Sequence, residues 1–194
     1  MSHPPRVLAF AGSTRGGSFN KRLVKIAAVG VESAGVSCTL IDLRDYPLPL
    51  YDADLEAESG LPGNAVALKD LFLSHQGLLI SSPEYNGCIS PLLKNAIDWV
   101  SRSTEASSDL SPFRGKVAAI MAASPGPLGG LRGLAILRSL LGNIGCTVIS
   151  DQVTVHHAHE SFSPDGSLTD AKQQSQVEAL GRQLGHWVLK WHAA

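Results

Sequence analysis

No stretch of this 194-residue chain approaches the roughly 18–20 consecutive apolar residues that cross a bilayer, which excludes a helical membrane span. The opening Met1-Ser2-His3-Pro4-Pro5-Arg6 lacks the charged start, greasy stretch and small-residue cleavage site of a secretion signal. A cytoplasmic protein is expected. Cysteine is scarce: Cys38, Cys88 and Cys146 are too few and too scattered for a disulfide framework or a metal knot. Cys38 and Cys146 fall in apolar runs and are expected to pack, whereas Cys88 lies in a glycine-containing loop, where a small neutral filler is expected. An excess of either charge is missing too. With 16 Lys and Arg against 17 Asp and Glu, the net charge of −1 gives no field to attract nucleic acid or an anionic membrane. No G-x-S-x-G elbow is present, which removes the commonest hydrolase reading.

What the sequence does contain is alternation. Val7–Ala11 is a short unbroken apolar run ended by Gly12, as suits a strand buried on both faces. Strands are likewise predicted over Ser37–Asp42, Gly77–Ser81, Val117–Ala123 and Thr147–Val155. Between and after them, helical periodicity runs over Asn20–Ala34, Ala65–Ser74, Pro91–Arg102, Leu131–Ile144 and Ala171–Trp191. Strand and helix in turn imply right-handed crossovers, hence an α/β fold: a doubly wound five-stranded parallel sheet with helices on both faces. Residues 1–194 are expected to form one domain, with Arg44–Gly63 as an excursion over the surface. Helix Pro91–Arg102 carries Leu92, Leu93, Ile97, Trp99 and Val100, more apolar residues than one sheet-facing stripe needs, which predicts a homo-oligomer.

In such a sheet ligands bind at the carboxyl ends of the strands, where the strand order reverses. After the first strand comes Gly12-Ser13-Thr14-Arg15-Gly16-Gly17-Ser18-Phe19-Asn20, a glycine- and hydroxyl-rich turn into a helix amino end, chemistry suited to a phosphate. It is not a P-loop, since Ser18 stands where lysine is required, nor a dinucleotide fingerprint, since Thr14 replaces the second glycine. A ligand-free serine cap is the bland alternative. After the third strand, Pro83-Glu84-Tyr85-Asn86-Gly87 offers a tight turn, a flat aromatic face and exposed amides, a platform for a heterocycle; simple packing of Tyr85 against the next helix is the competing reading. After the fourth, Ser124-Pro125-Gly126-Pro127-Leu128-Gly129-Gly130 permits close approach of main chain to a ring. Lys94 and Asp98 read as an exposed surface pair. His156, His157, His159 and Glu160 read as a solvated loop or an interface, and no metal site is assigned.

The first two of these motifs, with Leu93-Lys94-Asn95-Ala96-Ile97-Asp98-Trp99, resemble the NADPH-dependent FMN reductase family, which includes chromate, quinone and azo-dye reductases. Leu48-Pro49-Leu50-Tyr51 and Phe113-Arg114-Gly115-Lys116 extend the likeness over roughly residues 6 to 190. The resemblance implies a flavodoxin-like fold, FMN as cofactor and NADPH as electron donor, with NADH possible. It places Ser13, Arg15, Ser18, Phe19 and Asn20 at the FMN phosphate loop, and Pro83, Glu84, Tyr85, Asn86 and Gly87 on the isoalloxazine loop. Ser124, Gly126 and Gly129 fall on the third flavin-facing stretch, which Pro125 and Pro127 make stiffer than is usual. Hydride transfer between stacked rings needs no side-chain acid or nucleophile, so no catalytic side chain is assigned. The expected partner is a small-molecule electron acceptor in a ping-pong cycle, and the resemblance also implies a homodimer or homotetramer. A flavodoxin-type electron carrier shares the fold and the cofactor, but such carriers are strongly acidic and this chain is nearly neutral.

Overall fold

The computed structural model describes residues 4–104 and 109–192. Five strands, β1 (Arg6–Ala11), β2 (Ser37–Leu40), β3 (Gly77–Ser81), β6 (Val117–Ala123) and β7 (Thr147–Val155), form one parallel sheet in the order β2-β1-β3-β6-β7. The three central strands carry the unbroken apolar runs and are buried throughout, apart from Arg6 at the start of β1; the edge strands β2 and β7 are the ones with exposed positions.

Alternation along each strand sorts side chains between two cores. Val7, Ala9, Leu79, Val117, Ala119 and Met121 face α1 (Phe19–Ser33) and α7 (Ala171–Trp191). Leu8, Phe10, Leu78, Ile80, Ala118 and Ile120 face α3 (Gly63–Leu73), α4 (Pro91–Val100) and α5 (Leu131–Asn143). The predicted helices and strands are all present, with ends within two residues of expectation. Strand β2 stops at Leu40 because the Asp42 carboxylate turns to accept the Arg44 N–H at 3.0 Å, capping a 3-10 turn at Leu43–Asp45.

Helices α1 and α7 touch backbone to backbone. A Cβ placed on Gly30 would lie 1.9 Å from the Glu178 carbonyl oxygen, and one on Gly181 would lie 1.9 Å from that of Ala27. Glycine at both positions is what allows the approach.

The excursion over Arg44–Gly63 runs over the surface and carries structure of its own: besides the 3-10 turn it forms α2 (Ala53–Ser59), and its middle is fastened to α4. Asn95 Nδ2 and Trp99 Nε1 both donate to the Pro49 carbonyl at 2.8 Å, and Asn95 Oδ1 accepts the Tyr51 N–H at 2.8 Å. Trp99 is consequently fully buried within its own chain. Trp99, the largest of the surplus apolar residues of α4, is thus covered by Pro49 and Tyr51 and does not itself indicate a subunit contact. The chain also forms a small antiparallel hairpin, β4 (Glu84–Tyr85) and β5 (Cys88–Ile89), and a short helix α6 (Ala158–Ser161), none of them foreseen. Among the described residues no helix is long and apolar enough to cross a membrane.

Candidate functional site

The strand order reverses between β1 and β3, and hydrogen bonds hold the carboxyl ends side by side. Gly12 N–H donates to the Ser81 carbonyl at 2.9 Å, Ser82 N–H to that of Met121 at 2.9 Å, and Ser124 N–H to that of Val155 at 3.0 Å. Ser90, the N-cap of α4, donates through Oγ to the Gly12 carbonyl at 2.7 Å while accepting the Leu93 N–H at 3.1 Å. The three loops expected to face a ligand therefore emerge as neighbours from one rim.

On the first loop, Ser18 is the N-cap of α1, yet its side chain caps nothing. Among the described residues no group accepts the N–H of Phe19, Asn20 or Lys21. An uncapped helix start with a free serine hydroxyl is a site for an oxyanion. Arg15 Nη2 donates to the Gly17 carbonyl at 3.3 Å, and its guanidinium lies 5.5 Å above the Phe19 ring. The Ser13 hydroxyl accepts the Arg15 N–H at 3.4 Å. Arg44, which was not anticipated, reaches in from the 3-10 turn to donate to the Thr14 carbonyl. It lines a cavity of about 500 Å³ beside the loop with Gly16, Ser18, Lys21, Arg22 and Lys25. Lys21 also pairs with Asp42 at 2.5 Å. Burial opposes the Asp42 charge, but Lys21 and the Arg44 N–H outweigh it and hold the carboxyl below its usual range.

Asn20 sits differently from its loop neighbours. Its side chain is buried: Nδ2 donates to the Ala123 carbonyl at 2.9 Å, and Oδ1 accepts from Ala123 N–H and Ser81 Oγ, each at 2.9 Å. The amide ties α1 to the ends of β3 and β6 rather than projecting from the rim.

On the second loop, Asn86 and Gly87 have φ of 52° and 77°, the left-handed turn that joins β4 to β5. Tyr85 is 54% exposed, so it is not tucked against the following helix. Pro83 is buried. The Glu84 side chain turns to the first turn of α5. Its carboxylate is held by Arg132, with Nη2 at 2.6 Å, and by the Gly133 N–H at 3.0 Å. Burial works against that charge, but the Gly133 N–H and Arg132 prevail and keep the carboxyl below the usual range. Cys88 is exposed, not a packing filler.

On the third loop, Ser124 Oγ accepts the Gly126 N–H at 3.2 Å. Gly129 is buried with φ of 60°, and a Cβ there would lie 3.0 Å from the His156 nitrogen. Contact with the end of β7 already accounts for that glycine. His156, His157 and His159 are exposed, and among the described residues no group of three or more His, Cys, Asp or Glu is arranged to hold a metal.

Residues 5–160 match the NADPH-dependent FMN reductase family. The chain belongs to that family. As a member of the NADPH-dependent FMN reductases it is an oxidoreductase that works with FMN and a nicotinamide nucleotide. The chain is 34% identical over 189 residues to an NAD(P)H-dependent FMN reductase of Pseudomonas aeruginosa, covering 97% of both chains. A quinone reductase of Escherichia coli K12 is 38% identical over 145 residues, 73% of this chain and 71% of that one. The flavoenzyme NAD(P)H:(acceptor) oxidoreductase FerB from Paracoccus denitrificans superposes with a TM-score of 0.79 at 29% identity, covering 96% of this chain and 98% of FerB. The residues present fit FMN: the uncapped start of α1 matches a phosphate, and the exposed face of Tyr85 with the Asn86-Gly87 amides matches a ring.

Proposed function

We propose that this FMN reductase carries electrons from NADPH, or from NADH, to a small acceptor in a ping-pong cycle. The observation that supports it is the pairing on one rim of an uncapped helix start at Ser18 with an exposed aromatic turn at Tyr85–Gly87. Bound FMN would supply the redox chemistry, accepting hydride from the nicotinamide and releasing the electrons to the acceptor. The protein's own part is to bind and align. Ser13, Arg15 and Ser18 hold the phosphate with the amides of α1. Phe19 lies beneath the Arg15 guanidinium and stacks on Phe162 with ring centroids 5.7 Å apart, which steadies that corner of the loop. The Tyr85 ring and the main-chain N–H groups of Asn86 and Gly87 face the ring from one side, with Ser124 and Gly126 on the loop opposite, and the two N–H groups can stabilise charge that develops on it. No side-chain acid or base is required.

Relatives named as quinone reductases support a quinone as acceptor, with free flavins, azo dyes and metal oxyanions as further candidates. We read the chain as one domain working in the cytoplasm as a homodimer or homotetramer. A surface at the hairpin and α5 supports the oligomer. Tyr85, Leu128, Leu131 and Ile136 are large, apolar and exposed, and an apolar groove of about 470 Å³ runs between the hairpin, α4 and α5. A second copy would cover it.

The deciding experiment is anaerobic: add NADPH to the FMN-loaded protein and watch the flavin absorption, then add a quinone. Bleaching followed by recovery, with parallel double-reciprocal plots, is expected. A flavin that keeps its colour under NADPH would overturn the reading.

A further inference from the structure

We propose that Glu84 is a positioning residue whose carboxylate fastens the hairpin β4–β5 to the first turn of α5 and so sets the ring-facing turn at Asn86–Gly87. The inference rests on the flavin reading above and adds to it a residue that acts through others.

The hairpin has only two residue pairs, Glu84 with Ile89 and Tyr85 with Cys88. A two-stranded hairpin of that size does not hold its shape alone in water. Its partner has the complementary deficiency. Helix α5 starts from Gly130, at φ of 94°, and no side chain of its own caps it. Its early N–H groups lack acceptors within the helix, and one of them, Gly133 N–H, is met by Glu84 Oε2 from 49 residues away at 3.0 Å. The other oxygen accepts from Arg132 Nε at 2.8 Å and Nη2 at 2.6 Å. A negative charge at a helix amino end is stabilised by the helix dipole as well as by the three donors.

Shape supports the same assignment. A Cβ on Gly133 would lie 3.3 Å from both Glu84 Cβ and the Cys88 carbonyl, so the bare glycine is what lets the hairpin lie against the helix. The Glu84 side chain is only 7% exposed, whereas Arg132 is 64% exposed and passes within 4.0 Å of where a Cβ on Gly87 would sit. Both carboxylate oxygens are engaged by α5, which leaves Glu84 to influence a bound ring through the turn it fixes.

The test uses the full chain with E84Q, R132A, R132K and the E84Q/R132A double variant. Flavin is removed and FMN is titrated back, and amide hydrogen exchange of residues 84–89 is measured on the flavin-free protein. Expected are an FMN Kd raised about tenfold in E84Q and in R132A, and little further loss in the double variant. R132K should fall between R132A and the parent, and residues 85–88 should exchange faster in E84Q. The loss should appear in FMN affinity more than in kcat at saturating FMN. Unchanged exchange and unchanged FMN affinity in E84Q would overturn the proposal. If E84Q fails to fold, R132A and R132K decide by the same readouts. If the parent protein takes up no FMN, the flavin reading fails, and hydrogen exchange alone still decides whether Glu84 holds the hairpin.

Discussion

Asn20 and Ala123 close a two-bond ring: the side-chain amide donates to the Ala123 carbonyl and accepts the Ala123 N–H, both at 2.9 Å, 103 residues apart in sequence. A third bond from Ser81 Oγ brings in β3. One buried side chain thus joins the start of α1 to the ends of β3 and β6, from which the second and third loops depart. Replacing it with alanine strands two buried main-chain groups and a hydroxyl. N20A is expected to lose about 2–4 kcal/mol of stability by chemical denaturation. N20D, which cannot donate to the Ala123 carbonyl, should also be destabilised. Unchanged midpoints in both would remove Asn20 from this role.

Under the proposed function, Arg15 and Ser18 meet the FMN phosphate with a guanidinium and an uncommitted hydroxyl. R15A/S18A should weaken FMN binding by about 10- to 100-fold with little change in thermal midpoint, since neither side chain supports the core. Fluorescence titration of the flavin-free protein measures this. Equal affinity in the folded double variant would refute the phosphate assignment.

The contact of α1 with α7 tolerates no side chain at Gly30 or Gly181. G181A forces two backbones apart and is expected to cost about 3 kcal/mol or more, and G30A should be similar. Urea melts followed by circular dichroism provide the check; a loss below about 1 kcal/mol would mean that the helices can slide apart freely.

Lys116, the residue just before β6, is buried and donates to the His75 carbonyl, and desolvation lowers its pKa from 10.5 to about 8. Between those values the unfolded chain binds more protons than the folded one, so this group's contribution to stability rises as pH rises from about 8 toward 10.5. K116M should remove that slope. Subtracting its pH–stability curve from the parent's isolates the effect, and a flat difference across the window would count against it.

The apolar patch of Tyr85, Leu128, Leu131 and Ile136 is expected to be a subunit contact. L131E or I136E should shift sedimentation toward the monomer without unfolding the protein. A parent protein already monomeric at micromolar concentration would leave that face without a partner copy.

Much of the sheet was legible because β1, β3 and β6 are buried on both faces and so must read as unbroken apolar runs. The positive-φ turn at Asn86-Gly87 and the Lys94–Asp98 pair, at 2.7 Å, were legible for the same local reason. What escaped depends on distant partners. Two-residue strands such as β4 and β5 leave no periodicity to detect. Trp99 appeared to be surplus apolar surface only because nothing local announces that Pro49 and Tyr51 fold over it. Arg44 enters the phosphate rim from a 3-10 turn whose one sequence signal is Asp42, a capping residue two positions earlier. Glu84 sits within the ring-loop motif, and only the position of Gly133 shows which way it faces.

The glycine seam between α1 and α7 also bears on how the chain matures. The helix that leads out of the phosphate loop keeps its apolar stripe dry against α7, the last of the described elements to leave the ribosome. Until Val177, Leu180, Leu184 and Val188 arrive, Leu23, Ala27 and Val31 lack part of the cluster that shelters them. The helix behind the first loop is therefore completed only by a segment that contributes no residue to the rim itself.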